Sequence, residues 1–292
     1  MKKKFILLFI LVLSVSLSVA QNSGESKSPE AGNSYNDGLD QARKGNFKSA
    51  AKLFEKAIKA DPEFAQAYYM LGYSQKKLNQ NSQAMNSYKK AIEVDKKFEN
   101  AYIALGNLQT SMEDYESAIN SYNAVLGFND KSAKAYFGAG NVFYKQKNYE
   151  KAVERLKQSV AIDPSFDLAW NELGICLEQL NQLSEAVESF KKALENTNRA
   201  SEKGNYYFRL GNAYLKLKKY NDAEEAFLNA VKLSKSQTID GGANFGLGEV
   251  YKNLGQKQKA IQYYEKAARV RTWKASADYE IDLLKHPDKY VN

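Results

Sequence analysis

The sequence predicts an all-α solenoid of seven helical hairpins plus a C-terminal capping helix, and three observations carry that prediction. Seven glycines, Gly38, Gly72, Gly106, Gly140, Gly174, Gly211 and Gly248, recur at a spacing of 34 residues four times and then of 37 twice. Seven alanines, Ala50, Ala84, Ala118, Ala152, Ala186, Ala223 and Ala260, keep the same spacing twelve residues further on. Around each glycine the apolar residues fall at helical spacing, as in Trp170, Leu173 and Leu177, and no strand pattern interrupts them. A fixed period of this length marks one helical unit stacked on itself. Chains built this way hold other proteins and seldom catalyse.

Within a unit, the glycine sits on the buried face of a first helix, and a second helix follows after a short turn. The buried stripe of that second helix reads Ala186, Phe190 and Ala193 in one unit and Ala223, Phe227 and Ala230 in another. Two antiparallel helices joined by a tight turn approach closely only where side chains are small, so glycine on the first is expected to meet alanine on the second.

The run Trp170, Leu173-Gly174, Leu177, Ala186, Phe190 and Ala193 resembles the tetratricopeptide repeat, as does Tyr207, Leu210-Gly211, Tyr214, Ala223, Phe227 and Ala230. The proline expected at the end of the second helix is present as Pro62 and Pro164 and is replaced elsewhere, for instance by Lys96, Asp130 and Asn198. The resemblance implies a right-handed superhelix and covers about 31–274, with units at 31–64, 65–98, 99–132, 133–166, 167–200, 204–237 and 241–274. Residues 201–203 and 238–240 are three-residue additions at junctions, expected at the surface as a longer turn or most of a helical turn. In the first unit Ser34, Asp37 and Gln41 stand where large apolar residues are usual, as suits a repeat with solvent on one side. After the seventh, Ala277, Ile281 and Leu284 share a face of a capping helix over 275–285, stopped by His286-Pro287 and followed by a tail to 292.

Before the repeats, Lys2, Lys3 and Lys4 precede an apolar and serine segment from Phe5 to Val19, and Ser18-Val19-Ala20 presents small residues at the positions a signal peptidase reads. The segment reads as a signal peptide over 1–20, and its apolar stretch is shorter than the roughly 20 residues a bilayer core requires. The chain is therefore expected to be exported, to the periplasm of a bacterium, with a membrane role only if the segment is retained. Residues 21–30 have nothing apolar to bury and read as a flexible leader.

The charge balance excludes little by itself. Lys plus Arg is 42 against 34 Asp plus Glu, and the lysines are interspersed with glutamates along the second helices, the pattern of a solvated face. Dispersed basic residues argue against nucleic acid as a partner. The single histidine, His286, and the single cysteine, Cys176, leave no multi-histidine or thiolate metal site. No phosphate-binding loop follows a strand, and the carboxylates lie mostly at helical positions expected to be exposed. The reading is a non-catalytic protein with no cofactor and no metal.

What the resemblance implies about binding is a concave groove lined by positions two, five, nine and twelve of each first helix. Carried onto this chain, the groove takes Tyr69, Tyr73 and Lys76 from the second unit, Asn107 from the third, and Phe137, Asn141, Tyr144 and Lys145 from the fourth. The fifth contributes Asn171, Ile175 and Glu178, and the sixth contributes Phe208, Arg209, Asn212 and Lys216. Amide rungs at Asn107, Asn141 and Asn212 offer donors and acceptors to the backbone of an extended peptide or helix. The aromatic row would mark a contact surface if its rings are not packed between repeats. A basic residue at position five, which family members gripping an acidic C-terminus carry, is absent from all seven units. The expected function is a protein-binding scaffold of the cell envelope. Binding of a glycan or cell-wall fragment by the aromatic groove, self-assembly, and a membrane-anchored part in a secretion or assembly machine stand as alternatives.

Overall fold

Residues 26–290 are described by the computed structural model, and fifteen α-helices with no strand occupy them. The proposed signal segment and residues 21–25 of the leader lie outside the described residues. Fourteen helices pair as hairpins: α1 (Pro29–Arg43) with α2 (Phe47–Ala60), α3 (Ala65–Lys77) with α4 (Asn81–Val94), α5 (Glu99–Ser111) with α6 (Tyr115–Phe128), and α7 (Ala133–Lys145) with α8 (Tyr149–Ile162). The series continues with α9 (Asp167–Gln179) and α10 (Leu183–Asn196), α11 (Ala200–Lys216) and α12 (Tyr220–Leu233), and α13 (Gln237–Asn253) and α14 (Lys257–Ala267). Helix α15 (Lys274–Lys285) and a short 3-10 turn, Pro287–Tyr290, complete it. Contacts divide the chain into two compact units, one up to Gly138 and one from Ala139. No helix of the described residues is long and apolar enough to cross a membrane.

Each first helix ends the same way. Residues 45, 79, 113, 147, 181, 218 and 255 all have φ between 58° and 79°, in the left-handed region. The next amide reaches back five residues, as from Gln80 to the Gln75 carbonyl or from Asn148 to the Phe143 carbonyl. This is a helix end that caps its own carbonyls and turns the chain back on itself. Only the first and last of these residues, Gly45 and Gly255, are glycine. Lys147 and Lys218 hold the conformation against their own Cβ, at roughly 1–2 kcal/mol each, partly offset by the extra chain entropy that glycine would lose, about 0.5–1 kcal/mol. Lys147→Gly and Lys218→Gly are each expected to leave stability unchanged or raise it by up to about 1 kcal/mol, measured by urea unfolding.

The return turns from second to first helix have their own recurrent device. Asp61, Asp95, Asn129 and Asp163 each accept the backbone N–H two residues on, at 2.9–3.2 Å. Thr197 and Ser234 do the same with hydroxyls. A short polar side chain thus closes each turn, with or without a proline after it.

The packing corrects one expectation. The missing Cβ of each ladder glycine is filled by the large side chain sixteen residues on, and less by alanine. A Cβ on Gly38 would lie 2.7 Å from the Phe54 ring, on Gly174 2.6 Å from Phe190, and on Gly211 2.6 Å from Phe227. Gly72, Gly106 and Gly248 face Tyr88, Tyr122 and Tyr264, and Gly140 faces Leu156. The alanine ladder is fully buried, but its smallness mainly leaves room for these rings. Two rings are each closely approached by two glycines on different helices: Tyr122 by Gly106 and Gly138, and Phe227 by Gly211 and Gly246.

The start of the repeats also differs from expectation. Residues 26–30 of the leader are ordered: Ser28 caps α1 at the Ala31 amide, while the Ser26 hydroxyl and the Lys27 amide both donate to Asp61. Hydrogen bonding compensates there for the lack of apolar burial. Each three-residue addition lies within the first turn or two of a longer first helix, since α11 and α13 run 17 residues against 13 for α3, α5, α7 and α9. At the far end Ala277 is fully buried and Ile281 and Leu284 pack on the core of the last hairpin, with Tyr290 donating to Asp282.

Candidate functional site

The side chains proposed for a groove divide between the two units. In the first, Tyr69 packs its ring 5.8 Å from Tyr88 and 5.4 Å from Phe98 and serves the core more than a surface. Burial raises its hydroxyl above the ordinary tyrosine range. Tyr73 sets its ring edge-on to Phe47 with the Lys77 ammonium over its face. Lys76 is exposed, with its ammonium held below the ordinary lysine range by partial desolvation and then by Lys77. Phe137 is half-buried.

Asn107 is exposed, and one end of its amide is engaged. Its side-chain oxygen accepts the Tyr122 hydroxyl at 2.8 Å, and burial pushes that hydroxyl up to about 12. The seventh hairpin repeats the device with Tyr264 donating to Glu249. In these two hairpins the second-helix hydroxyl ties down the side chain at position nine.

The second unit lacks that tie where the remaining amides stand. Leu156 and Phe227 replace tyrosine, so Asn141 on α7 and Asn212 on α11 make no side-chain hydrogen bond and are half-buried. Beside them lies a group of polar side chains with unmet needs. Asn171 on α9 is only 8% exposed, and its Oδ1 is buried without a partner. The Nε of Arg209 on α11 is likewise buried and unpaired. Glu172, which the sequence reading did not single out, has its carboxyl raised above the ordinary range by burial, opposed by Arg209 and Lys145. Tyr144, next to Glu172 and Arg209, is raised by burial first and by Glu172 next. Buried polar atoms without partners cost about 1–3 kcal/mol each, so this part of the second unit carries a polar cost that the packing does not offset.

Lys145 stays exposed, whereas Lys216 is engaged with Glu178 at 2.7 Å. Phe208 packs on Phe227 and against Gly242, in the core of the last hairpins. Cys176 is fully buried and its thiol is pushed up to about 12 by burial, so it is a packing residue and not a nucleophile.

A folded-state rise in the Glu172 carboxyl means that its ionisation opposes folding. Its unfavourable contribution is absent below about 4.5, the ordinary glutamate value, and develops as the pH rises from there through the folded value. Glu172→Gln is therefore expected to raise stability at pH ~7 and to leave it unchanged at pH ~3, as read from urea unfolding at the two pH values.

The tetratricopeptide repeat signature matches residues 41–64, 65–98, 100–165, 137–201, 204–236 and 242–271. The chain is a tetratricopeptide-repeat protein. No curated protein matches it in sequence. Among solved structures it is similar to PilF of Pseudomonas aeruginosa, at 21% identity over 71% of this chain and 92% of that one, with a TM-score of 0.60. It is also similar to a chain of the APC/C hetero-tetramer Cut9–Hcn1, at 20% identity over 94% of this chain and 52% of the other, with a TM-score of 0.66. YrrB, described as a tetratricopeptide-repeat protein with an unusual peptide-binding site, is 23% identical over 65% of this chain and 96% of its own, with a TM-score of 0.50. These likenesses establish the fold.

Proposed function

We propose that the second unit of this repeat protein binds an extended segment of a partner protein across α7, α9 and α11, and that the protein is a scaffold without catalytic chemistry. The observation that carries the reading is that Asn141 on α7 and Asn212 on α11 are half-buried with no side-chain hydrogen bond, on helices that also hold the unpaired Nε of Arg209 on α11 and flank the unpaired Oδ1 of Asn171 on α9. An extended backbone presents N–H and C=O groups at regular intervals and meets amide and guanidinium partners whatever its sequence. The peptide-binding site described for YrrB supports a peptide over other ligands. The packing of Tyr69 and Phe208 leaves fewer rings for stacking against a sugar, which weakens the glycan alternative. The leader of the sequence supports export to the periplasm and a role in the bacterial envelope.

Photo-crosslinking in the native host tests the reading, with a reactive residue at Asn141 and, as the control, at Glu154, which is exposed on α8 of the same hairpin. One discrete protein adduct from Asn141 and none from Glu154 is the expected outcome. Equal adducts from both positions, or none from Asn141, would contradict a partner bound on this face, and a crosslink to a second copy of the chain would make self-assembly the better account.

A further inference from the structure

A separate cleft lies between α12, α13 and α14, with a volume of about 330 Å³, near the lower end of ligand-binding cavities. Leu228 and Val231, three residues apart on one face of α12, line it together with Leu247 of α13 and Val270 after α14. Leu247 is fully buried and Leu228 is 43% exposed, so the apolar lining runs from the core out to solvent. A small, open cleft of this kind suits the anchoring side chain of a longer chain better than a free ligand, which would keep much of its surface in water.

Positive charge prevails around these walls. Lys266 of α14 and Arg269 after it are both exposed, and neither forms an ion pair among the described residues. The Lys266 ammonium lies over the Tyr263 ring at 4.3 Å, a contact that holds the cation at the cleft without neutralising it. Asp240 is the one carboxylate of the lining, and its Oδ1 is shut off from solvent. Two exposed cations against one carboxylate give the lining a net positive charge, which repels a cationic occupant and attracts a carboxylate. The Asn244 NH₂ donates to the Asp240 carbonyl at 2.8 Å, which leaves the side-chain oxygen as an acceptor for a backbone N–H.

We infer that the cleft anchors an acidic segment of a partner protein through one aliphatic side chain, which lies against Leu228, Val231 and Val270 while the carboxylates flanking it meet Lys266 and Arg269. The apolar walls supply most of the affinity. The two cations supply the choice of partner, since charges at an exposed rim govern encounter and selectivity more than they hold a complex together. The site is independent of the α7–α9–α11 face, so either can fail without the other.

The test is a nuclear magnetic resonance titration of the protein with three capped tripeptides: acetyl-Asp-Leu-Asp-amide, the basic acetyl-Lys-Leu-Lys-amide, and acetyl-Asp-Ser-Asp-amide, which lacks the aliphatic anchor. Saturable shifts of the Gly241, Asn244 and Val270 amides are expected with the acidic leucine peptide at concentrations up to ~10 mM. The basic peptide and the serine peptide should each bind roughly tenfold more weakly. Arg269→Glu, at an exposed position past the end of α14, should weaken the acidic leucine peptide by about three- to tenfold and strengthen the basic one, with the rest of the spectrum unchanged. The comparison of peptides on the unaltered protein stands even if that variant folds poorly. Equal binding of the acidic and basic peptides, equal binding of the leucine and serine peptides, or no saturable shift at those amides would overturn the inference.

Discussion

Phe227→Ala is expected to lower stability by about 3–5 kcal/mol, the range for deleting a fully buried aromatic side chain. The ring is fully buried and lies in the core shared by the last two hairpins. It is approached by both Gly211 and Gly246, whose added Cβ atoms would come within 2.6 and 2.4 Å of it. The same geometry predicts that Gly246→Ala is destabilising, by about 1–3 kcal/mol, although alanine is the better helix former by about 1 kcal/mol. The ring has little room to shift from an alanine at 246, because it is also in close contact with Gly211 of α11. In Phe227→Leu the penalty at 246 should shrink, giving a measurable coupling between the two positions. Repeat chains can unfold in parts, so hydrogen exchange of α11 to α14 should accompany the urea curve. A stable Gly246→Ala with unchanged exchange would show that the ring has room the structure denies it.

The second large effect concerns binding. Asn141→Ala together with Asn212→Ala is expected to weaken a captured partner segment by roughly 10- to 100-fold, the loss of two or more net hydrogen bonds. Asn107→Ala should do something different. It removes the acceptor of the Tyr122 hydroxyl and so costs stability, by about 1–3 kcal/mol if that hydroxyl is left dry, with little direct effect on the partner. Isothermal titration with the crosslinked segment and urea unfolding separate the two results. If all three substitutions weaken binding alike, the distinction between tied and free amides fails.

Much of the fold was legible in the sequence, because the glycine and alanine ladders are local consequences of helix packing and repeat with the chain. The reason for the glycines was not. Spacing places Gly211 and Ala223 on facing helices, but it does not reveal that the Phe227 ring fills the space over Gly211. The left-handed turns were hidden for a related reason, since Glu113, Lys147 and Lys218 carry no turn signature and are forced there by the pairing of their hairpins. Of the candidate site, the stripe positions could be named and their availability could not. Asn107, Asn141 and Asn212 are identical as letters, and a hydroxyl fifteen residues away separates the first from the others. Glu172 was missed because its significance lies in burial beside Arg209, which no local pattern reports.

The central claim is that a partner meets the amides of the second unit and leaves the tied amide of the first alone. The side-chain NH₂ resonances of the three asparagines, followed as the captured segment is added to the protein, test it directly. Movement of the Asn141 and Asn212 signals with Asn107 unchanged is the predicted result. Movement of Asn107 with the other two unaffected would contradict it.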